Sequence, residues 1–254
     1  MVKIAYCLYG QPRCITEGSK IIKKFVENHD VDFYYHTWTL PDEITHYSHA
    51  EYRNIPKDQL KYDKDIIRKI NSLYNPKAYL FEQARDFNIE KNNELLNSMA
   101  YSNTDNKNRG IRISHCLSQL YSRQQVRNLL YNTLQKENIE YDFVISSRFD
   151  FLTEINISID LNNINNEKIY VSDYHIPRAI FADNIVLLGV ENFFKFFNSY
   201  DNLYNIINNK TLDTLVTNYN EKLVLVPENL LFANYLYYFG NINILEYVNF
   251  PNFM

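Results

Sequence analysis

The chain has 254 residues, of which 46% are hydrophobic and 22% are charged, and its formal net charge is −4 at pH 7. This length and apolar content suffice for one sizeable core, so a single domain is the simplest prediction. The negative net charge argues against binding to nucleic acid through bulk electrostatics, and we expect no nucleic-acid partner.

The cysteines and the apolar segments bear on the compartment. Cys7, Cys14 and Cys116 form no C-x-x-C pair and are odd in number, which is typical of free thiols in a reducing environment. The apolar run before Gly10 is too short for a secretory signal, and no apolar run reaches the ~18 residues of a spanning helix. We therefore expect a soluble, cytoplasmic protein without a transmembrane segment.

Apolar, β-branched and aromatic runs of strand length recur along the chain. The predicted strands are Val2–Leu8, Val31–Tyr35, Ala78–Phe81, Phe143–Ser146, Ile169–Ser172, Ile185–Leu188 and Leu223–Val226. Helical patterns cover Gly18–Glu27, Tyr62–Tyr74, a long stretch after Gly110, and Pro227 to about Phe239. Such alternation predicts an α/β fold with a central mixed, mostly parallel sheet flanked by helices.

The polar segment Tyr101–Arg109 precedes the long helical pattern. Its composition predicts an exposed loop, which could serve as a lid. Among the histidines, His36 and His115 are interpreted as structural, and His175 either as structural or as lining an acceptor cleft. The pair His46-x-x-His49 has no third ligand placed with it, so it is interpreted as part of a surface loop rather than as a metal site.

The segment from Tyr141 to Phe151 carries an apolar strand directly into Arg148-Phe149-Asp150. Ligands of open α/β sheets bind beyond the carboxyl ends of the strands, which is where these charges would stand. A carboxylate there can hold a divalent ion against a diphosphate, and a guanidinium can pair with phosphate oxygens. The alternative is a structural ion pair between Arg148 and Asp150 at the sheet edge, and the residue types leave both interpretations open.

Several landmarks resemble a group of GT-A-type glycosyltransferases common in bacterial surface-glycan clusters and large DNA viruses. Their order in the chain is Gly10-Gln11-Pro12-Arg13 after the first strand, Val31 to Trp38 ending in Thr-Trp, Ser118-Gln119-Leu120-Tyr121-Ser122, Arg148-Phe149-Asp150, Asp183-Asn184, and Pro227-Glu228-Asn229-Leu230-Leu231. Together they span most of the chain. The resemblance implies one glycosyltransferase-like domain, with a nucleotide-sugar-binding half at about 1–150 and an acceptor-binding half at about 151–254.

The resemblance also implies donor-binding residues. Gly10 would let the backbone approach a diphosphate, and Arg13 would pair with its phosphates. Trp38 would stack on base or sugar, although a lone Trp after a buried strand is more often a core residue. Gln119 and Ser122 would face the donor from the long helix, or else lie on an ordinary polar helix face.

Arg148 and Asp150 occupy the place where many GT-A enzymes have Asp-x-Asp. With one carboxylate in that place, Asp150 could hold Mn²⁺ or Mg²⁺, or Arg148 could take over part of the cation's role. For an inverting transfer, Asp183 is the first candidate for the base that deprotonates the acceptor, and Glu228 is the second. Asp183 could instead cap backbone N–H groups, and Glu228 could instead stabilise a helix N-terminus.

The implied function is transfer of a sugar from a UDP- or GDP-sugar to a glycan or glycoprotein acceptor. One alternative is a catalytically silent nucleotide- or carbohydrate-binding protein of the same fold. A metal-dependent phosphodiesterase would require at least two clustered carboxylates around a metal ion. The sequence contains no G-x-G-x-x-G, P-loop or G-x-S-x-G motif, which disfavours dinucleotide oxidoreductases, P-loop NTPases and α/β-hydrolases.

Overall fold

A computed structural model describes residues 1–41, 61–85, 87, 106–150, 159–172, 184–209 and 227–248, with the backbone alone described for 106–113. The strands within these ranges are β1 (Lys3–Gly10), β2 (Asp30–Thr39), β3 (Ala78–Gln83), β4 (Phe143–Arg148), β5 (Ile169–Ser172), β6 (Ile185–Leu188) and β7 (Leu245–Val248). The helices are α1 (Ile15–Phe25), α2 (Ile66–Tyr74), α3 (Asn106–Lys136), α4 (Val190–Phe196), α5 (Leu203–Asn208) and α6 (Pro227–Phe239).

The seven described strands form one mixed sheet in the order β3-β2-β1-β4-β6-β5-β7. The pairs β3-β2, β2-β1, β1-β4 and β5-β7 are parallel, whereas β6 runs antiparallel to β4 and to β5. The α/β fold with a central mixed, mostly parallel sheet is therefore confirmed. The proposed division into a donor half and an acceptor half stays a prediction.

Strand β1 lies in the middle of the parallel part, and Ile4 to Tyr9 are all buried. A parallel strand covered on both faces needs such a continuous apolar run. On one face α1 and α2 bury Ile22 and Ile70 against Tyr6 and Tyr35. On the other face α3 buries Leu117 and Leu120 together with Tyr9 and Trp38, in a core shared with α4, α5 and α6.

The four parallel strands β1 to β4 extend further at their carboxyl ends than the apolar pattern predicts. Strand β1 ends at Gly10, β2 at Thr39, β3 at Gln83 and β4 at Arg148. The predicted boundaries follow the continuous apolar runs, but ladder hydrogen bonds continue beyond them through polar residues whose side chains have partners inside the protein. His36 and Thr37, for example, are fully buried.

The loop prediction for Tyr101–Arg109 is wrong where the structure can test it, because Asn106 to Arg109 form the first turn of α3. A helix gains one backbone hydrogen bond for each added residue once it has nucleated, so polar residues and Gly110 do not stop it. The predicted strand Leu223–Val226 lies outside the described residues, as do His46, His49 and His175. Helices α4 and α5 and strand β7 were not predicted.

All three cysteines are buried, and none of them forms a disulfide in the structure. None of the described helices is long and apolar enough to cross a membrane.

Candidate functional site

The carboxyl ends of β3, β2, β1 and β4 lie side by side, because these neighbours are parallel. We call this the carboxyl edge. The chain leaves β1 at Gly10 and enters α1 at Ile15, so the short connection between them, which includes Arg13, also lies at this edge. Polar and charged residues that are far apart in the sequence are thereby brought together where α/β sheets bind ligands.

Arg13, Arg148 and Asp150 form one ionic cluster. Arg148 donates from Nε to Asp150 Oδ1 at 2.8 Å and from Nη2 to Oδ2 at 2.5 Å, a bidentate pairing. Arg13 donates from Nη2 to the same Oδ2 at 2.7 Å. The arginine side chains are each 12% exposed and the Asp150 side chain is 3% exposed. Two guanidinium groups thus contact one carboxylate, and these three side chains have a summed formal charge of +1.

Gly10 lies beside this cluster, directly across the sheet from Thr37. Its φ of +93° lies in a region that residues with a Cβ disfavour. A Cβ built on Gly10 would meet no atom of the described residues within 4 Å, so none of them fills the space against the backbone at this point. The turn is held from both sides, because Gly10 N–H donates to Ser122 Oγ at 2.9 Å and Thr37 Oγ1 donates to the Gly10 carbonyl at 2.8 Å.

A chain of hydrogen bonds continues from Ser122 across the edge. Ser122 Oγ lies 2.7 Å from His36 Nδ1, and His36 Nε2 lies 3.2 Å from Glu82 Oε1. Tyr121 Oη donates to the same Glu82 oxygen at 2.9 Å. We call Ser122, His36, Glu82 and Tyr121 the edge relay. It joins β2, β3 and α3 to the Gly10 turn of β1.

Burial decides the protonation of the edge relay. Desolvation lowers the pKa of His36 despite its hydrogen bond to Glu82, so the imidazole is neutral at pH 7. The hydrogen bond from His36 in turn lowers the pKa of Glu82, with Tyr121 acting in the same direction. Ionised Glu82 can only accept, which places the imidazole proton on Nε2 and leaves Nδ1 to accept from Ser122. Each hydrogen bond of the edge relay from Ser122 to Glu82 therefore has one defined donor and one defined acceptor.

Comparison with known proteins assigns the chain to no family. No protein-family model and no curated protein matches the chain. Among solved structures, the chain is similar to the galactosyltransferase LgtC in complex with donor and acceptor sugar analogs, at 9% sequence identity and a TM-score of 0.32. The alignment covers 91% of this chain and 69% of that one. A likeness this low supports no statement about the function of the chain.

The predicted donor-binding residues fall into two groups. Gly10, Arg13, Arg148 and Asp150 lie together at the carboxyl edge, as described above. Ser122 is fully buried and bonded to Gly10 and His36, so it acts on the turn rather than facing open space. Gln119 is half-buried one helical turn before Ser122 on α3. Its role in donor binding stays a prediction.

Trp38 is 2% exposed. Its ring lies 5.6 Å from that of Tyr121, 5.8 Å from that of Phe87 and 4.8 Å from that of His36. A ring covered on these sides packs the core beneath the edge, and this favours the core interpretation of Trp38 over stacking on a ligand.

The two candidate bases are not placed against the cluster by the described contacts. Glu228 lies half-buried in the first turn of α6, a position in which a carboxylate also stabilises the helix dipole. Asp183 lies outside the described residues, as do the residues immediately before it. Both roles stay predictions.

The residues present do not fit a metal ion at Asp150. Both of its carboxylate oxygens already accept hydrogen bonds from guanidinium groups, and a metal ion at the same oxygens would face two nearby positive charges. Within the described parts of the chain, no group of three His, Cys, Asp or Glu side chains could hold a metal. The geometry favours the alternative in which arginine supplies the positive charge, and the metal at Asp150 stays a prediction.

Sequence reasoning missed Glu82 and the pairing of His36. Glu82 follows the apolar part of β3, and His36 lies within β2 just beyond its predicted end. Polar residues at the carboxyl ends of neighbouring parallel strands are a signal that was available for both. The pairing of each with Ser122 or Tyr121 on α3 depends on helix docking, which no local pattern in the sequence reports.

Proposed function

We propose that the protein is a glycosyltransferase that binds the diphosphate of a nucleotide sugar at Arg13 and Arg148. The observation that carries the proposal is the ionic cluster, with its net positive charge, at the carboxyl edge beside the open space over Gly10. Guanidinium groups match phosphate oxygens in geometry as well as in charge. Arg13 also lies two residues before the start of α1, and the N-terminus of a helix favours an anion.

Asp150 supports this proposal as an orienting residue. It fixes two arginine side chains that would otherwise lose several rotatable bonds on binding. Both guanidinium groups keep their positive charge in this arrangement, so they can still attract the oxygens of a diphosphate. The edge relay fixes the Gly10 turn in a similar way, because the Gly10 N–H donates to Ser122. This hydrogen bond keeps the space against the Gly10 backbone open. Pre-organised donors of this kind stabilise charge that develops during a reaction without having to reorganise.

In the proposed reaction, the carboxyl edge stabilises the leaving diphosphate. The bond between the sugar C1 and the diphosphate oxygen breaks, and its electrons leave with the diphosphate, where Arg13 and Arg148 stabilise the developing negative charge. The acceptor hydroxyl forms the new bond to C1 and loses its proton to a carboxylate, for which Asp183 and Glu228 are the candidates in an inverting transfer. The acceptor proposed is a glycan or a glycoprotein, and the donor a UDP- or GDP-sugar.

The first test is a thermal-shift screen of the purified protein with UDP, GDP, CMP and their sugars, in EDTA and in Mn²⁺. A ligand at 100 times its Kd stabilises the folded state by about 2.7 kcal/mol, which raises Tm by roughly 5–10 °C for a chain of this size. We expect a selective shift with one nucleoside diphosphate in EDTA. Absence of a shift with every ligand would contradict the proposal.

Variants locate the site. Arg148→Gln should abolish the shift, whereas Arg68→Gln should leave it unchanged, because Arg68 on α2 is exposed and its ion pair among the described residues is with the exposed Asp65. Turnover separates an enzyme from a silent binding protein. An enzyme releases the nucleoside diphosphate from the nucleotide sugar slowly in water and faster with acceptor, and Asp183→Ala should lower both rates if Asp183 is the base. Binding without any release would favour the silent protein.

A further inference from the structure

Glu82 presents a fixed hydrogen-bond acceptor at the carboxyl edge, outside the ionic cluster. Its Oε1 accepts from both His36 and Tyr121, and among the described residues none donates a hydrogen bond to Oε2. The Glu82 side chain is 27% exposed, so water or a ligand can reach it. Two donors hold this carboxylate in one orientation, and its second oxygen is left to accept.

Glu82 and Arg148 share one face of the sheet. Tyr9 pairs with both His36 and Arg148 across neighbouring strands, and directly paired residues project to the same face. Glu82 contacts His36 from the next strand, on the face covered by α3. Three strand spacings, about 14 Å, separate β3 from β4, the strand that carries Arg148. A nucleotide whose diphosphate lies at Arg13 and Arg148 and whose nucleoside extends along this face would point toward Glu82.

A flat surface adjoins the Glu82 carboxylate. The guanidinium of Arg85 lies 4.4 Å from the ring centre of Tyr121 and 4.8 Å from that of Phe87. Arg85 itself is exposed at the end of β3. A planar cation stacked on aromatic rings is a surface on which a second planar group can lie.

We propose that Glu82 Oε2 accepts hydrogen bonds from the nucleoside of the donor, with Arg85 beside it for the base. The inference rests on the proposed function and adds a residue that binds the nucleoside. Ribose hydroxyls and the N–H groups of a guanine base are hydrogen-bond donors, and a fixed carboxylate accepts from either. Uracil has one ring N–H, and cytosine has an amino group. Because Oε1 is already held, Glu82 loses little conformational freedom when such a donor binds.

The test is calorimetric titration of the full chain with UDP, GDP and their 2′,3′-dideoxy counterparts. Glu82→Gln keeps an amide oxygen that can accept from His36 and Tyr121, but it places neutral groups at the site. We expect the preferred nucleotide to bind about tenfold or more weakly to this variant, as for loss of a hydrogen bond to a charged group. Glu246→Gln is the matched control, because Glu246 is a half-exposed carboxylate on β7 at the far end of the sheet.

The dideoxy nucleotides identify the contacted group. If Glu82 binds the ribose, the dideoxy form should bind wild type and Glu82→Gln equally. If Glu82 binds the base, the difference between wild type and variant should persist with the dideoxy form. Either result supports the inference. A thermal melt of each variant checks folding, and Glu82→Asp, which withdraws the carboxylate by one methylene, should show the same loss if Glu82→Gln does not fold.

Two failures are distinguishable. If Arg148→Gln abolishes nucleotide binding while Glu82→Gln binds as tightly as Glu246→Gln, the donor site stands and the assignment of Glu82 is wrong. If the wild type binds none of the nucleotides, the proposed function fails, and the role of Glu82 fails with it.

Discussion

Replacing Asp150 by Asn separates the two roles open to this carboxylate, since they predict opposite effects on nucleotide binding. If Asp150 orients Arg13 and Arg148, the variant keeps both cations and raises the net charge of the cluster from +1 to +2. Diphosphate binding in EDTA should then be retained or strengthened. If Asp150 instead holds Mn²⁺ or Mg²⁺, the wild type should require the metal for binding and the variant should bind poorly in its presence.

The same substitution should destabilise the fold. Breaking a buried ion pair by removing one partner costs about 3–5 kcal/mol, because the remaining charge loses its partner. The Asn oxygen can still accept from one guanidinium, and the arginine side chains retain 12% exposure to water. We therefore expect Asp150→Asn to lower the free energy of unfolding by about 2–3 kcal/mol, and Tm by roughly 5–10 °C.

Urea unfolding at pH 7.5 measures the stability, and titration calorimetry in EDTA and in Mn²⁺ measures nucleotide binding. Asp65→Asn is the control, because it removes the carboxylate of an exposed pair with Arg68 and should change stability by less than ~0.5 kcal/mol. Nucleotide binding by the wild type that occurs in Mn²⁺ but not in EDTA would refute the metal-independent orienting role. A stability loss no larger than that of Asp65→Asn would refute the assignment of the cluster as a buried ionic unit.

Three further predictions concern the edge relay and its turn. Ser122→Ala should cost about 1–3 kcal/mol in urea unfolding, because the N–H of Gly10 and the Nδ1 of His36 lose their shared partner; a cost below about 0.5 kcal/mol would contradict this. Burial lowers the pKa of His36 in the folded state, so below about pH 6.5 the folded protein binds fewer protons than the unfolded chain. The free energy of unfolding therefore keeps the full contribution of neutral His36 above about pH 6.5, and it falls by at most about 1.4 kcal/mol per pH unit below it. Unfolding at pH 7.5 and 5.5 should show a smaller decrease for His36→Gln than for wild type, and equal decreases would contradict the pKa shift. Gly10→Ala and Gly240→Ala should each lower the free energy of unfolding by about 1–2 kcal/mol, because both glycines have a positive φ and no described atom lies close enough to an added methyl group to cause a further clash. Of the two, only Gly10→Ala should weaken nucleotide binding in the thermal-shift screen.

The elements best predicted from the sequence are those whose patterns are set by burial alone. Strands Ile169–Ser172 and Ile185–Leu188 and helix Pro227–Phe239 have the predicted boundaries. Pro227 has no backbone N–H to satisfy at the start of α6, and Gly240 adopts a φ of +70° after its end. These local signals agree with the tertiary fold, so short-range reasoning is sufficient for them.

The elements that were missed depend on contacts between distant residues. Strand β7 has the sequence Leu245-Glu-Tyr-Val, with two exposed central residues, and it is a strand because β5 supplies its ladder partners. Helices α4 and α5 have only seven and six residues, too few for a helical period to be recognised. Their buried residues, Phe193, Phe196 and Leu203 among them, pack into the core beneath α3 and α6.

The candidate site likewise contains residues that the sequence identified and contacts between distant residues that it did not. Arg148 and Asp150 were identified because an apolar strand leads directly into them, and Gly10 and Arg13 because of the resemblance to GT-A-type glycosyltransferases. Their ionic pairing is consistent with either alternative raised by the sequence. In both alternatives two guanidinium groups contact one carboxylate, and the three side chains are mostly buried. The alternatives differ in whether a diphosphate also contacts the arginines, so loss of nucleotide binding in a folded Arg148→Gln variant distinguishes a ligand site from a structural ion pair.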